Sequence, residues 1–262
     1  MRACLFCGRV PDSKEHAIPD WVSRACGCSA EGKFPIVTLH YREGVGIRDK
    51  RDFHLDRLSP GCVCKSCNNG WMSRLEEAVK PILQPALEGG VPVLGDLLLQ
   101  RLIIGSPVVS LWTVKTAMTI TMALPGGLRI PVNYADRVAS GVVPDDVLVF
   151  AAFSRAPDVG AAFSRHFQIF NGGVGPEVVL ADKVRGFDFT LQLNHLLLRL
   201  VRAPEADVGF AATSIYTIPV QLWPVTRERV TGECWFEDLS HFRASMYLNT
   251  SEGHRPRSGK EH

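Results

Sequence analysis

The alternation of apolar and polar positions divides the chain into stretches of different rhythm. Residues 19–25 (PDWVSRA) begin with proline and predict a short helix, while 26–33 (CGCSAEGK) read as loop. FPIVTLHYR and IRDKRDFHL flank a glycine-bearing turn at Gly44 to Gly46, the pattern of a two-stranded hairpin. From Asn68 onward, Trp71, Leu75, Val79, Ile82 and Leu83 recur at helical spacing, and Pro81 is expected to kink or end that helix. Gly and Pro then cluster in GGVPVLG (89–95), the expected boundary between an N-terminal unit, 1–88, and a C-terminal one, 89–262.

LLLQRLII and SPVVSLWTVKTAMTITMAL follow as apolar helices, the second with Ser106 as N-cap and Pro107 at its first position. Its many β-branched residues argue against a helix on propensity alone. Beyond Pro125 come VLVFAAF, HFQIF, EVVLA, FDFTLQLNHLLLRLV and VGFAATSIYTIPVQLW, short apolar stretches between Gly, Pro and Asp that read mostly as strands. The expected class is α+β in both units, with 251–262 (SEGHRPRSGKEH) as a disordered tail.

Composition narrows the partners. With 29 basic against 27 acidic residues, no global field advertises nucleic acid or a membrane, so any such footprint has to be local. MRACLFCGRV lacks the apolar run of a secretory signal, which makes the cytoplasm the expected compartment. The most apolar region, 91–125, is interrupted by Asp96, Arg101 and Lys115, so buried helix is expected there and no membrane span.

Eight cysteines in a reducing compartment point to metal or reactive thiols before disulfides. Cys4-Leu5-Phe6-Cys7 and Cys64-Lys65-Ser66-Cys67 are two Cys-x-x-Cys knuckles, each able to bring two sulfurs to one tetrahedral ion. Four protein sulfurs leave no open position for water, so a Zn²⁺ ion held there is structural. Cys62, in CVCKSC, offers a third thiol beside the second knuckle, although Cys64 has the better spacing. Cys26 and Cys28, with His40 and His54, make a poor second set because Cys-x-Cys chelates badly, and Cys234 reads as an inert buried thiol.

CLFCG, KEHAIPDW and CKSCNNGWMSRLEEA together resemble the zinc-stapled branch of the HNH nuclease family, over residues 1–88. The resemblance implies a ββα-metal fold in which an acidic residue and a histidine end the first strand and a proline follows, a pattern matched by Glu15, His16 and Pro19. The residue directly after the second knuckle, which begins the family's helix, is Asn68. By that resemblance His16 is the general base, and Glu15 and Asn68 hold a catalytic Mg²⁺ or Mn²⁺. Phosphodiester hydrolysis needs these types together: an imidazole titrates near neutrality and can activate water, and a hard divalent ion on oxygen ligands steadies the developing charge.

Two departures stand out. The family's middle asparagine falls on Ser59, a weaker anchor; the task of tying the loop and orienting the histidine through backbone hydrogen bonds is expected to fall to Ser59 or Asp56. The second is the 47 residues between His16 and Cys64, which the short helix and the hairpin occupy as an insertion.

Lys14, Arg51, Arg57, Lys65 and Arg74 are candidate phosphate contacts, Arg74 foremost, for double-stranded DNA held without base reading. Trp71 is expected to pack in the core, and Trp21 to pin its short helix to the zinc unit. His166 and His195 read as core histidines, and Lys115 as a buried ammonium seeking a carboxylate or phosphate. Residues 89–262 are expected to serve specificity, dimerisation or regulation. The competing expectation is a non-catalytic zinc-containing nucleic-acid-binding or interaction protein with a degenerate HNH unit.

Overall fold

The computed structural model describes residues 3–27, 32–42, 45–54, 58–59, 61–89, 91–124, 130–165, 167–170, 176–179, 186–204, 207–210, 219–225 and 234–249. The expected tail, 251–262, together with Cys28, Asp56, Arg57 and His166, lies outside them.

The architecture is α+β: a mixed, curled sheet in the manner of a half-barrel, with helices packed on it. Helix α1 (Asp20–Ala25) and the hairpin strands β1 (Lys33–Arg42) and β2 (Val45–His54) form where the sequence pattern predicts them, except that Val45 and Gly46, expected in the turn, already belong to β2 and pair with Arg42 and Tyr41. The second knuckle winds into a single helical turn, α2 (Lys65–Cys67), and a π-helical turn (Asn68–Met72) leads on to α3 (Ser73–Leu87). Helix α3 neither ends at Pro81 nor at Pro85. Leu75, Val79, Leu83, Ala86 and Leu87 are all buried along one face, and their packing outweighs the missing amide bonds.

The glycine- and proline-bearing segment expected as a boundary forms the turn after α3 and the start of α4 (Val91–Ile104). Helix α5 (Ser106–Ala123) begins one residue earlier than expected, with Gly105 rather than Ser106 as its N-cap. Its β-branched residues are tolerated because it is buried on all sides from Val109 to Thr121, where packing overrides propensity. Thr113, Thr119 and Thr121 return their hydroxyls to the carbonyls of Val109, Lys115 and Ala117, which lets polar side chains sit inside the core. Among the described residues, no single helix is long and apolar enough to cross a membrane.

After α6 (Tyr134–Ala139) come β3 (Leu148–Ser164), β4 (Phe167–Phe170), β5 (Pro176–Val179), β6 (Phe187–Arg202), β7 (Asp207–Phe210), β8 (Val220–Trp223) and β9 (Trp235–Phe236), then α7 (Leu239–Ala244) and β10 (Met246–Asn249). The larger sheet has the order β2-β1-β3-β6, with β8 and β9 also paired to β3, and the smaller one the order β5-β4-β10-β7. Strand β1, from before residue 88, pairs parallel to β3, from after it, with Ile36 opposite Ala161. Gly160 lets the strands approach closely at this junction, since a Cβ there would stand 3.0 Å from the Pro35 carbonyl.

Both faces of β3 and β6 are covered. Val149, Ala151, Phe153, Leu196, Leu198 and Leu200 belong to the principal core, which also takes in Cys4, Phe6, α3 and α5. The alternate positions Phe150, Ala152, Leu197 and Val201 meet Phe242 of α7 and Met246 and Leu248 of β10 in a second cluster. On that face Arg199 clasps Asp188 with two bonds of 2.9 Å, and Arg243 adds a third at 3.2 Å.

No ββα-metal unit is identified in this fold. Residues 3–19 contain no strand, and the β1–β2 hairpin is part of the larger sheet.

Candidate metal centre and the surroundings of His16

The two knuckles are built alike. In the first, the Gly8 amide donates to the Cys4 carbonyl at 2.9 Å, and Gly8 takes φ +72°, which favours glycine. In the second, the Cys67 and Asn68 amides donate to the Cys64 carbonyl at 3.1 and 3.0 Å. The Leu5 amide joins the two knuckles by donating to the Cys62 carbonyl at 2.8 Å.

The sulfurs of Cys4, Cys7, Cys64 and Cys67 all lie within 4.8 Å of one another, with Cys4 and Cys67 at 3.9 Å and Cys7 and Cys64 at 3.5 Å. A tetrahedral zinc with bonds of about 2.3 Å sets sulfurs about 3.8 Å apart, so the quartet fits the ion. Cys64, and not Cys62, belongs to the converging quartet that fits the ion.

Amide donors aim at these sulfurs. The Cys64 N–H lies 3.4 Å from the Cys4 Sγ. Burial pushes the Cys64 thiol up, but the Cys67 amide and the neighbouring thiols outweigh it and bring it down to about 7. For Cys67, burial dominates and raises the thiol. The Trp71 indole N–H, buried without a partner of ordinary hydrogen-bond geometry, bears on that sulfur and favours its thiolate. Donors to sulfur are what a thiolate set needs to spread the charge left when zinc displaces the protons.

The chain leaving the first knuckle runs beside the chain entering the second. The Ser13 amide donates to the Val63 carbonyl at 3.1 Å and the Ala17 amide to the Leu58 carbonyl at 2.8 Å. Between them the Ser59 hydroxyl donates to the Glu15 carbonyl at 2.7 Å, one residue before His16. Asn68 sends its amide nitrogen to the Ser13 hydroxyl at 2.7 Å, which ties the start of the helix to the same segment. The His16 Nδ1 lies 3.8 Å from the Asp20 carboxylate, and both side chains are accessible to solvent.

Glu15 is half-buried, and burial pushes its carboxyl above the usual range; the Lys115 ammonium pulls it back and the Glu76 carboxylate adds to the rise. Among the described residues, no other three His, Cys, Asp or Glu side chains converge as the cysteine quartet does. Arg74 and Lys65 are exposed, and the Lys65 amide is bound by the Asp12 carboxylate at 2.7 Å. Arg57 lies outside the described residues. His195 turns its Nδ1 to the Ser154 carbonyl at 2.8 Å, as a packed histidine does.

Next to Glu15 lies a polar cluster of which the sequence shows only the lysine. Lys115 of α5, with 0% side-chain exposure, meets the Glu76 Oε1 at 2.6 Å. Trp112 Nε1 donates to the same carboxylate at 2.9 and 3.0 Å, and Trp21 Nε1 of α1 to its Oε2 at 2.8 Å. The buried ammonium was visible as a lone charge in LWTVKTAM. Its carboxylate was not, because Glu76 and Glu77 are indistinguishable in LEEAVK until the helix turns one inward.

Comparison of the chain with family models, with curated proteins and with solved structures finds no match.

Proposed function

We propose that the protein is a metal-dependent HNH-type endonuclease that hydrolyses phosphodiester bonds of DNA. His16 serves as general base, and Glu15 with the Asn68 amide oxygen holds a Mg²⁺ or Mn²⁺ ion that steadies the charge on the departing oxygen. The zinc on Cys4, Cys7, Cys64 and Cys67 holds together the two segments that carry these residues. Arg74, Lys65 and Arg57 contact phosphates, and residues 89–262 add specificity or a dimer contact.

The observation that carries this reading is the 2.7 Å bond from the Ser59 hydroxyl to the Glu15 carbonyl. It supplies at Ser59 the loop tie for which the HNH pattern uses asparagine, and it fixes the backbone immediately before His16. Supporting it, Asn68 is bound to Ser13, so both proposed metal ligands belong to one hydrogen-bonded patch at the helix start.

The test is plasmid nicking and cleavage with Mg²⁺ or Mn²⁺, with and without EDTA, for the wild-type protein and His16→Ala. Activity that needs the metal and falls at least about a hundredfold in the variant supports the reading. Equal products from both proteins overturn the assignment of His16, and no products from either leave the non-catalytic zinc-containing binding protein as the better account.

A further inference from the structure

We infer that Trp21, Glu76 and Lys115 form a strut that positions the His16 loop, so that the chain beyond residue 88 completes the proposed site. The inference rests on the nuclease reading for its kinetic consequence.

The segment 13–19 carries His16 but is no strand, so nothing in its own secondary structure fixes the imidazole. Its front is held by the amides of Ser13 and Ala17 and by the Ser59 hydroxyl. Its back runs within a few residues into α1, a helix of six residues that is too short to be stable unaided. Among the described residues, the side-chain bond that attaches α1 to another helix is that of Trp21, whose indole N–H meets Glu76 of α3. Asp20, the neighbour of His16 Nδ1, precedes Trp21 on the same turn, so a displacement of Trp21 moves both.

Glu76 can serve as an anchor only if its charge is balanced, since it is 16% exposed and packed beneath two indoles. Lys115 provides that balance from α5, and Trp112 takes up the remaining acceptor capacity. An apolar trio of similar volume would pack these helices as well or better. Three directed donors on one carboxylate add orientation, which packing alone does not provide. Lys115 is fully enclosed and cannot reach substrate, so its part is positioning rather than catalysis.

The experiment uses the full chain and two variants. Trp21→Phe keeps a ring and loses the N–H; the double variant Glu76→Gln with Lys115→Met removes both charges without stranding either. Measured are kcat and KM for Mg²⁺-dependent nicking, the melting temperature, the zinc content, and the His16 ring signals by NMR, assigned through His16→Ala.

Expected for both variants is a folded, zinc-loaded protein whose kcat falls about tenfold or more with KM little changed, and whose His16 ring signals broaden or split into several conformers. Wild-type kcat and a single sharp set of His16 signals in folded variants overturn the strut. Should the wild-type protein show no metal-dependent cleavage, the nuclease reading falls. The ring signals then decide the positioning role alone: heterogeneity in the variants upholds it and sharp single signals overturn it.

Discussion

Single residues carry the metal site. The Cys4 and Cys64 sulfurs receive backbone amides, which no side-chain substitution removes, and Cys67 has the Trp71 indole beside it. Cys4→Ser or Cys67→Ser is therefore expected to lose stoichiometric zinc and to lower the melting temperature, measured by metal analysis and calorimetry on the same sample. Cys62→Ser is expected to retain its zinc, because that thiol lies outside the quartet. The ion pair in the neighbouring cluster behaves differently. Lys115→Met alone leaves the Glu76 carboxylate buried without its cation, an expected loss of about 3–5 kcal/mol by denaturant unfolding, and adding Glu76→Gln should recover much of it.

At the scale of elements, packing overrode local preference in two places. Helix α3 continues through Pro81 and Pro85 because its apolar face is buried against the core, and α5 is helical despite its threonines and valines because it is surrounded. Leu83, fully buried in α3, marks this dependence: Leu83→Ala is expected to destabilise by about 2–5 kcal/mol in urea unfolding. The junction of β1 with β3 is equally constrained. Gly160→Ala places a methyl 3.0 Å from the Pro35 carbonyl, which has to give by a few tenths of an ångström, at an expected cost of about 1–3 kcal/mol. Slowed exchange of the β1 amides in the wild-type protein and faster exchange in the variant is the measurement that locates the effect at this junction.

For the molecule as a whole, one core extends from the knuckles to β6, and the buried Asp188 with Arg199 and Arg243 holds the opposite face of the sheet. Burial pushes the Asp188 carboxyl up, but the two guanidiniums outweigh it and hold it below the ordinary range. A group depressed in this way contributes stability that is complete above its unfolded value, about 3.9, and is lost as pH falls through the lower folded value. The wild-type protein should therefore lose stability on acidification below about pH 4. Asp188→Asn should be less stable throughout yet show a shallower acid limb, read from melting temperatures across pH. Residues 1–88 expressed alone would lack β3 as partner for β1 and Lys115 as partner for Glu76. Such a fragment is expected to show no cooperative melting even with zinc present.

Features that depend on spacing along the chain are legible before any fold is known. Two Cys-x-x-Cys knuckles fit one tetrahedral ion, apolar periodicity marks α3, and alternating residues about a glycine turn mark the hairpin, because each is a relation between near neighbours or matched pairs. Lys115 could be recognised as a charge out of place for the same reason. The remaining features come from contacts between residues far apart in the chain, which form only on folding. Ser59 reaches Glu15 across 44 positions, β1 joins β3 across more than a hundred, and Glu76 is chosen over Glu77 by the indoles and the ammonium that surround it. These contacts depend on how the chain closes on itself, and a hydroxyl or a carboxylate carries no local mark of the partner it will meet.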